Sequence, residues 1–83
     1  MNLVLLPQAQ EDLDAIFEPL LSRVVRQIEN LVTFPLMGVA MRGPFAGWRS
    51  LVVDRFRVVY RVREQTIEIA YVRDGRRKPL ARP

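Results

Sequence analysis

The chain has 83 residues, 13 of them basic and 9 acidic, a formal net charge of +4, and neither cysteine nor histidine. That length suits one small domain spanning residues 1–83. The missing residue types exclude disulfides, thiolate metal sites, histidine general bases and the usual zinc sites, so no metal and no cofactor is expected.

The charge is unevenly placed. Residues 1–34 hold two basic and five acidic side chains, whereas residues 35–83 hold eleven basic and four acidic, and all the cations but Lys78 are arginine. Arginine's planar fork takes phosphate, carboxylate and base edges bidentately, so the second half is expected to meet an anionic partner. No apolar run approaches the roughly 20 residues that cross a bilayer, and Met1-Asn2-Leu3-Val4 lacks the basic start of a secretory signal. The chain reads as soluble and cytoplasmic.

In chain order, residues 2–6 form an apolar run closed by Pro7, which predicts a first strand. After Pro7 the period changes. Leu13, Ile16 and Phe17 fall on one side, and Glu11, Asp12 and Asp14 are placed in the opening turns of a three-turn helix, at the positive end of its dipole. Pro19 interrupts, and Leu21, Val24, Val25, Ile28, Leu31 and Val32 then recur at spacings of three and four. A second helix is expected, ending near Phe34-Pro35. Gly38, Gly43, Pro44 and Gly47 punctuate the next stretch, with Val39-Ala40-Met41 as a brief extended edge.

From Trp48 the period becomes two, with strands expected at 48–53, 55–63 and 66–73. Connections this short require an antiparallel meander. The fold class is therefore α+β: an N-terminal strand, a two-helix hairpin, then a three-stranded meander packed on the helices.

In the strand 55–63, Phe56, Val58, Tyr60 and Val62 point one way and Arg55, Arg57, Arg61 and Arg63 the other. A two-residue loop at Glu64-Gln65 sets Val62 opposite Ile67, Tyr60 opposite Ile69 and Val58 opposite Tyr71. On the other face it sets Arg61 against Glu68 and Arg57 beside Val72. Arg61 and Glu68 then make a cross-strand ion pair, which competes with a binding role for Arg61. Trp48 on that face either stacks on a base or covers the rim of the core. The tail "RDGRRKPLARP" adds Arg73, Arg76, Arg77, Lys78 and Arg82, with Asp74-Gly75 as a turn sending Arg76 and Arg77 back toward the sheet.

The order of strand, helical hairpin, Pro35 and Gly38, then "RSLVVDRFRVVYRV" and "IEIAYVRDGRR", resembles the RelE/ParE toxin superfamily of bacterial type II toxin–antitoxin systems. The resemblance implies a small sheet backed by two helices, a cognate acidic antitoxin that wraps the toxin and sets any oligomer, and growth inhibition by free toxin. RelE-like members cleave mRNA on the ribosome; ParE-like members inhibit DNA gyrase and carry a longer helical hairpin. From the RelE-like pattern, Arg57 and Arg77 carry over as the catalytic arginines at the scissile phosphate; Trp48, Arg55, Arg61, Arg76 and Lys78 are expected to bind RNA from their places on the arginine face and in the basic tail. The family's lysines are replaced by Trp48 and Ser50, and its C-terminal tyrosine or histidine is missing. A gyrase inhibitor, or a degenerate toxin that only binds antitoxin, therefore stands as the alternative to an endoribonuclease.

Overall fold

A computed structural model describes residues 1–76. Along the chain lie β1 (Asn2–Leu5), α1 (Pro7–Asp14), α2 (Leu20–Asn30), β2 (Val39–Ala40), a 3-10 turn (Gly43–Phe45), β3 (Arg49–Val53), β4 (Phe56–Arg63) and β5 (Thr66–Asp74). The five strands form one sheet in the order β1-β5-β4-β3-β2. The expected strand, helical hairpin and antiparallel meander are all present, and β2 is the brief edge at Val39. β1 is added parallel to β5 at the far side of the meander, an arrangement open to it because the intervening helices carry the chain back across one face.

With eight residues, α1 is too short to be stable alone. Burial holds it: Ala9 and Leu13 from α1, with Val24, Ile28 and Leu31 from the second helix and its end, pack on Val53, Phe56, Val58, Tyr60, Ile67, Ile69 and Val72. Each fully buried aliphatic side chain is worth roughly 1.5–3 kcal/mol. Pro7 occupies the first turn of α1, where its missing N–H leaves no orphan donor.

The carboxylates of α1 do not play the expected dipole role. The helix begins at Pro7 and has no acidic residue in its first turn, so Glu11, Asp12 and Asp14 lie further along. Asp12 instead accepts a hydrogen bond from the Val72 backbone N–H at 2.9 Å. β1 pairs with β5 only as far as Ile69, so this carboxylate satisfies a donor on a strand edge that has run out of partner. At the start of α2, the carboxylate of Glu18, one residue before the N-cap Pro19, accepts from the Ser22 hydroxyl at 2.6 Å and from the Ser22 N–H at 2.8 Å, which holds its pKa below the ordinary value.

Tyr60, fully buried at the centre of β4, ties the β2 region to the sheet. Its hydroxyl donates to the Pro35 carbonyl at 2.8 Å and accepts from the Gly38 N–H at 2.9 Å. Gly38 has to be glycine for lack of room: a Cβ there would lie 2.7 Å from Tyr60 Cε1 and 3.0 Å from the Ser50 carbonyl oxygen. Arg49 completes the clamp by donating to the Gly38 carbonyl at 2.9 Å. The spacing of Pro35 and Gly38 is thus the footprint of one phenol.

Tyr60→Phe leaves a buried donor and a buried acceptor unpaired and should cost about 1–3 kcal/mol in denaturant melts. Gly38→Ala should cost about as much through overpacking. Burial pushes the Tyr60 phenol up, opposed by the Gly38 N–H and by Arg49. Above the ordinary phenol value of about 10 the unfolded chain loses this proton while the folded chain keeps it. Stability present below that pH should therefore fall as pH rises further, and Tyr60→Phe should make the alkaline decline shallower.

Candidate functional site

The face of the sheet away from the helices is where the arginines gather. Its floor is a second, smaller cluster in which Phe45 from the 3-10 turn packs with Val59, Ala70 and Tyr71, flanked by Met41 and Trp48. The loop between β2 and β3 can lie there because the Tyr60 clamp fixes its start and Met41 N–H bonds the Trp48 carbonyl at 3.0 Å to close it.

Along this face the register of β4 and β5 changes once. From the hairpin inward, Arg63 faces Thr66, Val62 faces Ile67, Arg61 faces Glu68 and Tyr60 faces Ile69, as the two-residue loop predicts. Between Val59 and Tyr60 a bulge intervenes, leaving Ala70 as the extra residue. Beyond it Val59 faces Tyr71, Val58 faces Val72 and Arg57 faces Arg73. The expected pairs Val58 with Tyr71 and Arg57 with Val72 are therefore wrong by one residue. Because side chains alternate, that single residue exchanges faces for everything after it. Val72 enters the helix-side core, while Tyr71 and Arg73 join Arg57 on the open face.

The bulge assembles a site absent from the sequence reading. Arg57, Tyr71 and Arg73 line a cleft of about 60 Å³ with Met41, Phe45, Asp74 and Gly75. Arg57 is exposed. Tyr71 is buried, its phenol pushed up by desolvation and drawn back by the charges of Arg57 and Arg73. Among the described residues neither arginine has a carboxylate within ion-pair distance. A sequence signal for the phase change existed: Ile69, Ala70, Tyr71 and Val72 are four consecutive apolar residues in a strand that otherwise alternates.

The other expected site residues are more committed. Arg61 donates to Glu68 at 2.6 Å, as the ion-pair reading holds, and its guanidinium lies 4.5 Å from the centre of the Trp48 ring. Trp48 is on the arginine face with that arginine against its ring. Arg55 departs from expectation: it belongs to the Asp54-Arg55 turn and not to β4. From there it pairs with Asp74 at 3.2 Å and lines a cleft with Ile16, Phe17 and Glu18. Arg76 turns back onto the same Asp74, through its backbone N–H at 3.0 Å and its guanidinium at 3.2 Å. These bonds hold the Asp74 carboxyl below its usual pKa. Arg77 and Lys78 lie outside the described residues.

If one residue sets both faces, deleting Ala70 should direct Arg73 into the helix-side core and Val72 to solvent. The expected outcome is loss of cooperative thermal unfolding by circular dichroism, with Ala70→Gly still folding cooperatively.

Residues 3–79 match the model of the ParE toxin of type II toxin–antitoxin systems, parDE. The RelBE2 toxin–antitoxin complex from Mycobacterium tuberculosis contains a chain 26% identical, superposing with a TM-score of 0.81 over 88% of this chain and 95% of that one. The chromosomal ParDE system from P. aeruginosa shares the fold at 23% identity and a TM-score of 0.73, covering 89% and 95%. The E. coli RelBE complex does so at 12% identity and 0.77, covering 92% and 98%. No curated protein matches the chain. The sheet, the helical hairpin and a family match spanning residues 3–79 make this chain a member of the ParE toxin family, within the RelE/ParE superfamily of type II toxin–antitoxin toxins.

Proposed function

We propose that this toxin arrests growth by cutting mRNA on the ribosome, with Arg57 holding the scissile phosphate on the open face of the sheet. The observation that supports it is an exposed arginine at mid-face with no carboxylate partner among the described residues. The short helices, 8 and 11 residues, also favour the RelE-like branch.

In such a cleavage the ribose 2′-hydroxyl gives up its proton to solvent or to the ribosome as its oxygen bonds to the adjacent phosphorus, the bond to the 5′-oxygen breaks, and the leaving oxygen takes up a proton, giving a 2′,3′-cyclic phosphate and a 5′-hydroxyl. Arginine stabilises the charge that grows on the phosphoryl oxygens, and a guanidinium, which stays protonated, does not act as the base. The chain thus supplies positioning and electrostatics, and the ribosome arranges the substrate. Arg77 is the second arginine assigned to the phosphate, and Lys78, like it outside the described residues, is assigned to RNA binding; Trp48, Arg55, Arg61 and Arg76 flank the path of the RNA. Asp74 ties Arg55 and Arg76 into the frame of that path.

A cognate antitoxin completes the system, as in the toxin–antitoxin complexes that share this fold. An acidic segment of it covers the arginine face, and an amphipathic helix docks on exposed apolar residues beside the sheet edge, including Phe34, Leu36 and Val39. Raised salt should weaken the complex.

The match to the ParE family model favours a second reading, in which the same surface binds DNA gyrase without catalysis. Mapping mRNA 5′ ends within minutes of induction separates the two. New ends inside translated codons, lost when translation is blocked, are expected; intact mRNA with inhibited supercoiling would establish gyrase as the target. The folded double variant Arg57→Ala, Arg77→Ala should be non-toxic, and undiminished toxicity would remove both arginines from the site.

A further inference from the structure

Two arginines placed opposite each other on neighbouring strands repel, and an antiparallel pair normally avoids this. Arg57 and Arg73 nonetheless face each other beyond the bulge. Elsewhere among the described residues a carboxylate lies between neighbouring arginines: Glu68 is near both Arg61 and Arg63, and Asp74 near both Arg55 and Arg76. Asp74 also lines the Arg57–Arg73 cleft, but its oxygens are engaged by those two other arginines. Arg73 is half-buried, and its Nε is buried without a hydrogen-bond partner among the described residues. A cation partly removed from water and not neutralised interacts more strongly with any anion that reaches it.

We infer that Arg73 is a further phosphate-binding residue, additional to Arg57 and Arg77, which with Arg57 and the Tyr71 phenol grips a phosphodiester of single-stranded RNA. The inference deepens the proposed action on mRNA and rests on it for the identity of the ligand. Three features favour a phosphodiester over a peptide carboxylate. One carboxylate is already satisfied by a single arginine fork, whereas the oxygens of a phosphodiester point apart and can accept from two guanidiniums and a hydroxyl at once. Met41 and Phe45 give the cleft an apolar wall suited to the sugar or base that accompanies each phosphate. The nucleic-acid backbone also repeats its charge, so adjacent phosphates reach the rest of the arginine face. Arg73 owes this place to the bulge, since an unbroken register would turn it to the helices.

The test is binding of a fluorescent hexanucleotide, fully 2′-O-methylated so that it is not cleaved, to the purified full-length toxin by anisotropy at low salt. Arg73→Gln should weaken binding about tenfold, comparably to Arg57→Ala, and lower the slope of log affinity against log salt by about one. Arg26→Ala, which removes an exposed charge from α2, should stay within twofold. Arg73→Lys keeps the charge without the fork and should lose at least threefold; it also serves if Arg73→Gln does not fold. Affinity at wild-type level in Arg73→Lys, or equal losses in the Arg26 and Arg73 variants, would overturn the inference. So would a hexaglutamate peptide whose binding depends on Arg73 when RNA binding does not, since that outcome assigns the cleft to antitoxin carboxylates. Neither ribosome nor cleavage enters this assay. Arg73-dependent RNA binding without new mRNA ends in cells would refute the cleavage reading alone, and new ends with Arg73-independent binding would refute this inference alone.

Discussion

The extra residue at Ala70 decides what each side of this small sheet contains. A β-strand alternates its side chains strictly, so inserting one residue into β5 transfers everything after it to the opposite face. Before the bulge, Ile67 and Ile69 serve the helix-side core; after it, Val72 does, and the intervening Tyr71 is released to the second cluster. In a protein of 83 residues without disulfides, that economy lets one strand contribute to two apolar clusters and still present Arg73 beside Arg57. The Asp12 carboxylate holds the backbone N–H of Val72, just past the point where β1 ceases to pair, so the bulged strand keeps a bonded edge.

The second constraint is the Tyr60 phenol, which connects the end of the helical hairpin to the sheet through Pro35 and Gly38. It works across the sheet: the ring belongs to the helix-side core, yet the loop it anchors passes to the open face and delivers Phe45 onto Val59 and Tyr71. Without that cover the open face would be a flat cationic surface. With it, the face has a cleft with an apolar wall and a cationic one.

The arginines divide by whether an acid is within reach. Arg23, Arg55, Arg61, Arg63 and Arg76 each have a carboxylate nearby, and water and salt screen these surface pairs so that each adds little to stability. Their effect is to direct side chains and to leave charge concentrated elsewhere. Arg26, Arg42, Arg49, Arg57 and Arg73 have no carboxylate within ion-pair distance among the described residues, and of these Arg57 and Arg73 share one site, whose buried floor lowers the local dielectric and so strengthens attraction for an anion.

Much of this architecture was legible in the sequence. Periodicities of 3.6 and 2, Pro7 and Pro19 as breaks and the short Glu64-Gln65 connection determined the two helices, the meander, the register near the hairpin and the Arg61–Glu68 pair, because each rests on neighbours close along the chain. The sequence also determined a cationic second half with only arginine and one lysine to form it. Tertiary structure alone decided the rest. The parallel docking of β1 on β5, the use of Asp12 on a strand edge and the capture of Arg55 by Asp74 depend on groups far apart in the chain. The bulge belongs with them: only the competition between Tyr71 and Val72 for space under the helices fixes which one turns inward, and that choice places Arg73 across from Arg57.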